Sequence, residues 1–230
     1  MFNESIRYLK DSDDAATTVL VGGLLVIFGF LIIPAIVVEG YMIRVLRRVS
    51  EGDTEAPKFD DWTKLFVDGL KALVIAFIYL LVPAIFAFVF IGGGAALSND
   101  YGVLGGFIAV LGSVLTFVAG LAVWYALPAA LVRFAEKNTM GSAFEYQSYL
   151  PILRDREYAT GWLIALAVVV VTGVIVSAIA FIPLLGWLVG VFLGFYAHVM
   201  AAYIYGRAYA EADEHRLREG PEVEEGRPAV

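Results

Sequence analysis

The stretch from Tyr158 to Gly206, YATGWLIALAVVVVTGVIVSAIAFIPLLGWLVGVFLGFYAHVMAAYIYG, decides the fold. It contains no Asp, Glu, Lys or Arg, and a single histidine, His198. Such a run is long enough for two membrane crossings of about 20 residues each. Its only turn signal is Ile182-Pro183-Leu184-Leu185-Gly186, which predicts two helices joined by a tight bend. On the second helix Gly186, Gly190, Gly194, His198, Ala202 and Gly206 recur every four residues. Small residues at that spacing predict a helix-packing ridge, because lipid gives no hydrophobic reason for helices to pair and close backbone approach must supply it.

The rest of the chain agrees with this reading. With 230 residues, 60% of them hydrophobic, and a mean hydropathy of +0.78, it belongs to the membrane class and is expected to form one membrane domain over residues 1–210. The absence of cysteine excludes disulfides and thiol chemistry. The start, Met1-Phe2-Asn3-Glu4-Ser5-Ile6-Arg7, lacks a basic region leading into an apolar core, so no removable signal peptide is expected. The net charge is −7, and the acids crowd Glu4 to Asp14, Glu51 to Asp68, Glu136 to Glu157 and Glu211 to Glu225. Scarce lysine among abundant carboxylate suits concentrated salt, where screening removes self-repulsion. A halophilic source is the expectation.

Phe2, Ile6 and Leu9 share one face of a short predicted helix. Ala15 to Val38 is uncharged and interrupted by Gly22, Gly23, Gly29 and Pro34. It reads either as one long crossing or as a shallow hairpin bending between Gly29 and Pro34. Phe59, Trp62, Leu65 and Phe66 then recur at helical spacing against acids and lysines, which predicts an amphipathic helix in the membrane interface. Two further uncharged runs, Ala72 to Asn99 and Gly102 to Val132, flank a turn at Ser98 to Gly102, with Pro83 expected to bend the first. Ser142-Ala143-Phe144-Glu145 has the form of a capping box. After it Tyr146 and Tyr149 are expected on another interfacial face. Residues 211–230 read as an acidic cytoplasmic tail, disordered beyond one or two helical turns.

The layout predicts an all-α integral membrane protein of five to six membrane segments, built from three units over 2–50, 59–137 and 142–210, each an interfacial helix followed by a hairpin. Basic residues fill both long connections and the tail, whereas the turns at Ser98 to Tyr101 and Ile182 to Gly186 have none. The positive-inside rule therefore places the C-terminus in the cytoplasm, and the N-terminus with it if the first apolar stretch is a hairpin.

Two polar residues stand out in apolar surroundings. Glu39 is either an intramembrane proton or cation site, or a carboxylate reaching the interface to meet headgroups or Arg44. His198 is either a titrating or metal-binding group, or a side chain hydrogen-bonded to a neighbouring helix. Both fall in the cytoplasmic half of the membrane, where they could meet. Gly92-Gly93-Gly94 is no phosphate loop, since neither a preceding strand nor a following Lys-Ser/Thr is present. No zinc-protease, nucleophile-elbow or cysteine-cluster motif occurs, so no catalysis, cofactor or metal is expected. The dispersed basic residues argue against nucleic acid as a partner.

The Gly22-Gly23-Leu24-Leu25 run, the Pro34 to Arg47 segment and the Phe59 to Gly69 segment resemble archaeal multi-pass membrane proteins catalogued as domain of unknown function four thousand and thirteen, which are frequent in haloarchaea. The resemblance covers most of the chain and is most specific between Gly40 and Lys71. It implies a haloarchaeal membrane protein and carries no activity or catalytic residues. The functional expectation is a non-enzymatic cell-membrane protein that binds lipids, other membrane proteins or a second copy of itself. The alternative is a small-solute or ion transporter or channel, suggested by the repeated hairpins, Glu39, His198 and the prolines.

Overall fold

The computed structural model describes residues 1–219, and every regular element among them is helical. The order is α1 (Phe2–Lys10), α2 (Ala15–Ile27), α3 (Ile33–Ser50), α4 (Trp62–Phe86), α5 (Gly93–Lys137), α6 (Tyr146–Leu153), α7 (Arg156–Ile179) and α8 (Leu185–Glu219). A π-helical turn, Ala87–Gly92, joins α4 to α5 without a break. The chain reverses instead at Tyr101, where φ −129 and ψ 37 leave the helical region. Three antiparallel hairpins result, α2/α3, α4/α5 and α7/α8.

The first apolar stretch is a hairpin. A short 3-10 turn, Gly29–Leu31, and Ile32 at φ 68 fold α3 back along α2. The Asp14 carboxylate before α2 accordingly forms an ion pair with Lys58, beyond the end of α3. At 13 residues α2 is about 20 Å long, short of the roughly 30 Å hydrocarbon thickness. By contrast, Trp62–Ser98, Asp100–Lys137, Arg156–Ile179 and Leu185–Arg218 are each long and apolar enough to cross a membrane. Because the chain has no native cysteine, the geometry is directly testable. Cysteines at Asp14 and Lys58 should be labelled from the same side of a sealed vesicle and joined by a short bifunctional thiol reagent. Labelling from opposite sides would restore the single-crossing topology.

The described Lys and Arg residues gather towards the end of the bundle where α1, the 51–61 loop and the 138–155 connection lie, with Lys71 set back in the third turn of α4. Tyrosines from the membrane helices fasten these connections. Tyr196 donates to the Ile6 carbonyl, Tyr41 to Pro57 at 2.9 Å, Tyr79 to Ala143 at 2.6 Å and Tyr125 to Leu153 at 2.8 Å. A phenol suits this layer, since its ring stays in apolar surroundings while its hydroxyl satisfies a loop carbonyl. Tyr79→Phe should lower the unfolding free energy by about 1 kcal/mol, the worth of one such hydrogen bond, which chemical unfolding in mild detergent would measure.

Several expected features differ. No separate interfacial helix forms over Phe59 to Lys71, because that stretch supplies a loop and the first turns of α4. Phe59 stacks on Tyr41 with ring centroids 4.2 Å apart, Leu65 is fully buried against α3, Phe66 packs on the core, and Trp62 remains half exposed. Tyr146 is exposed, whereas Tyr149 is buried and hydrogen-bonded to Tyr79. The capping box is not made. The Ser142 hydroxyl donates to the Thr139 and Arg133 carbonyls within a 3-10 turn, and α6 starts after Glu145 with no side-chain cap. α8 continues helical to Glu219, further than the expected one or two turns, while residues 220–230 of the predicted tail lie outside the described part.

Candidate functional site

Glu39 and His198 are brought to the same cavity. The α3 backbone crosses α4 at Gly40, and that contact turns the adjacent Glu39 side of α3 away from α4, towards α5 and α8. A cavity of about 200 Å³ opens there, with Glu39 and Met42 from α3, Trp124 and Pro128 from α5, and His198 and Tyr205 from α8 on its walls. His198 precedes Arg207 by nine residues, which puts it about 13 Å below the charged end of α8. Among the described residues, neither Glu39 nor His198 nor the Tyr205 hydroxyl has a hydrogen bond or ion pair with the protein.

The cations nearest Glu39 in sequence are engaged elsewhere. Arg44 clamps the 58–60 loop, donating to the Lys58 carbonyl at 2.9 Å, to the Asp60 carbonyl at 3.0 Å and to the Asp60 carboxylate. Arg47 reaches the Ala135 carbonyl at 2.6 Å and pairs with buried Asp68 at 3.3 Å. Among the described residues, Glu39 therefore makes no contact with Arg44, one of the two interface partners that the sequence offered for it. Glu39 and His198 meet through a shared space and not through a direct bond.

The glycine ridge of α8 is only partly a packing surface. A Cβ on Gly186 would lie 2.1 Å from the Ile179 carbonyl oxygen, on Gly190 2.9 Å from Val176, and on Gly206 3.1 Å from Val49. Ala202 is buried. Gly194 has nothing within 4 Å of the Cβ it lacks, and His198 beside it is exposed. These two line a groove of about 590 Å³ that runs from Trp187 past Gly190 to His198, closed on one side by Val26 of α2 and Val176 of α7. On the opposite face of α8, Leu188, Phe192 and Tyr196 line a second apolar groove with Val19 of α2. It continues into a space of about 610 Å³ under Leu9, Ala16 and Lys10.

The tightest helix contact escaped the sequence reading. Gly40 and Gly69 place α3 and α4 backbone to backbone, such that a Cβ would sit 1.7 Å from the Leu65 oxygen at Gly40 and 1.8 Å from the Ile36 oxygen at Gly69. Its signal, two glycines flanking a polar loop, lacks the regular repeat that made the α8 ridge conspicuous.

Together these features define an all-α multi-pass membrane protein. The family described as protein of unknown function (DUF4013) matches residues 24–181, more than half of the chain, and the chain belongs to it. The match includes Glu39, Arg47, Asp68 and Trp124 and stops before His198 and Tyr205. No curated protein and no solved structure matches.

Proposed function

We propose that this protein is a non-enzymatic, lipid-binding component of the cell membrane. The observation that carries the reading is the continuous apolar groove between α2 and α8, lined by Val19, Leu188 and Phe192 and ending under Lys10. An acyl chain fits such a groove in shape and polarity. Lys10 and nearby Arg7, which make no ion pair among the described residues, supply charge for a headgroup phosphate. Positive-inside bias supports a cytoplasmic location for the charged end and both termini. Acid-rich, lysine-poor margins support a haloarchaeal source, for which thermal stability should rise in molar potassium chloride.

The test is native mass spectrometry of protein released from vesicles containing equal phosphatidylglycerol and phosphatidylcholine. Retained lipid should be enriched in the anionic species. Lys10→Glu should remove the enrichment, and Ala16→Trp should remove the lipid itself. Lipid at the bulk ratio in all three proteins would overturn the reading.

The Glu39 and His198 cavity favours a second reading, a solute transporter. Loss of a solute flux in proteoliposomes on Glu39→Gln, with the protein still folded, would support it.

A further inference from the structure

We infer that the cavity between α3, α5 and α8 is a binding site for the ammonium group of a lipophilic amine, with the amine's hydrocarbon part lying in the groove along Gly190 and Gly194. The inference is independent of the Lys10 groove, which occupies the opposite face of α8.

The argument starts from charge. A carboxylate at membrane depth is costly and is normally paired with a cation. Glu39 has no such partner among the described residues, and the guanidinium groups of Arg44 and Arg47 are held by Asp60 and Asp68. A ligand that brings a positive charge completes the site. An anion would meet the Glu39 charge, and a neutral ligand would leave it uncompensated. A metal ion is disfavoured, since no three His, Cys, Asp or Glu side chains converge among the described residues.

Hydrogen bonding narrows the ligand further. An alkylammonium offers three N–H donors and no acceptor. Three unengaged groups on the cavity wall can accept: the Glu39 carboxylate, the Tyr205 hydroxyl and a ring nitrogen of His198. Trp124 lines the same cavity, and an indole attracts a cation that reaches its ring face. The volume of about 200 Å³ suits a small head, because a water molecule takes about 30 Å³.

The remainder of the ligand follows from the second cavity. His198 lines both spaces, so the small cavity adjoins the apolar groove of about 590 Å³ at that side chain. The groove is open where Gly194 carries no side chain. A head at Glu39 and a chain running past Gly194 use the two spaces together. The shared chemistry is a primary amine on a hydrocarbon chain, either a free amine or the headgroup of an aminolipid.

The experiment is equilibrium binding of radiolabelled octylamine to the full-length protein in phosphatidylcholine nanodiscs, which contain no lipid with a primary amine. One saturable site is expected above the linear partition into lipid. Glu39→Gln should weaken it at least tenfold, and octanol should not compete. Gly194→Leu should weaken octylamine while leaving competition by methylamine unchanged, a result that misfolding cannot mimic. If phosphatidylethanolamine added to the nanodisc competes, the natural source is a headgroup; if it does not, the source is a free amine. Linear partition only, equal affinity in Glu39→Gln and the parent, or competition by octanol as strong as by octylamine would each overturn the proposal.

Discussion

Replacing Arg47 with methionine should cost the protein about 3–5 kcal/mol, the range for removing one partner of a buried ion pair. Arg47 donates from Nε to the Ala135 carbonyl at 2.6 Å, and from Nη2 to Asn138 Oδ1 and Asp68 Oδ2, both at 3.3 Å. One planar guanidinium thus joins α3, the start of α4 and the end of α5. Asp68 is 4% exposed, so its carboxylate would be stranded without solvent or counter-ion. Ala135 and Asn138 sit at the C-terminus of α5, where Asn138 adopts the left-handed conformation at φ 56. The last carbonyls of a helix have no intrahelical donors, and Arg47 supplies one. Arg47→Lys should be intermediate, since an ammonium retains the charge but cannot span the three acceptors. Arg47→Met combined with Asp68→Leu should recover most of the loss, because both charges leave together. Chemical unfolding in mild detergent would measure all three. A change below about 1 kcal/mol for Arg47→Met would place the pair among ordinary surface ion pairs.

Gly40→Val and Gly69→Val should prevent α3 from seating on α4. Each missing Cβ would fall under 2 Å from a backbone carbonyl oxygen of the other helix. Backbone atoms cannot rotate aside, so the two helices must separate along their whole contact. The expected loss is at least the roughly 3 kcal/mol at the upper end for overpacked cores, seen as aggregation on size-exclusion chromatography. The matched control is Gly194→Ala, where the added methyl meets open space. It should be neutral, or stabilising by up to about 1 kcal/mol through reduced freedom of the unfolded chain. If Gly40→Ala and Gly194→Ala unfold alike, the close crossing of α3 and α4 is wrong. Because Glu39 neighbours Gly40, loss of this crossing should also displace the carboxylate and weaken amine binding.

The candidate site was half legible before the fold was known. Glu39 and His198 were conspicuous because charge in an uncharged run is costly, and cost is visible in a sequence. Their meeting was not visible, since it depends on which face of α3 the Gly40 contact turns towards α4. Tyr205 and Trp124 carried no signal, being ordinary residues for a membrane helix near the interface. Tyr149 was misjudged for a related reason: an amphipathic pattern identifies an apolar face and leaves open whether lipid or protein covers it.

By itself, the sequence determined what hydrophobic transfer and chain-local spacing dictate. That includes the all-helical membrane class, the long crossings between charged connections, the tip at Ile182 to Gly186 and the gathering of basic residues at one end. These follow from the cost of placing charge or unpaired backbone groups in lipid, which acts on each segment separately. The tertiary structure alone decided that Ala15 to Ser50 folds back as a short hairpin, since Gly29 and Pro34 permit either a bend or a crossing. It decided that Gly186, Gly190 and Gly206 are covered while Gly194 stays open, because α2 packs on the neighbouring Phe192 and Phe195 and nothing comes within 4 Å of the Cβ that Gly194 lacks. It also decided that Arg47 serves Asp68 and the end of α5, leaving Glu39 without a cation. Each of these depends on where a second helix lies, and contact across the bundle is the one quantity that the spacing along a single segment does not encode.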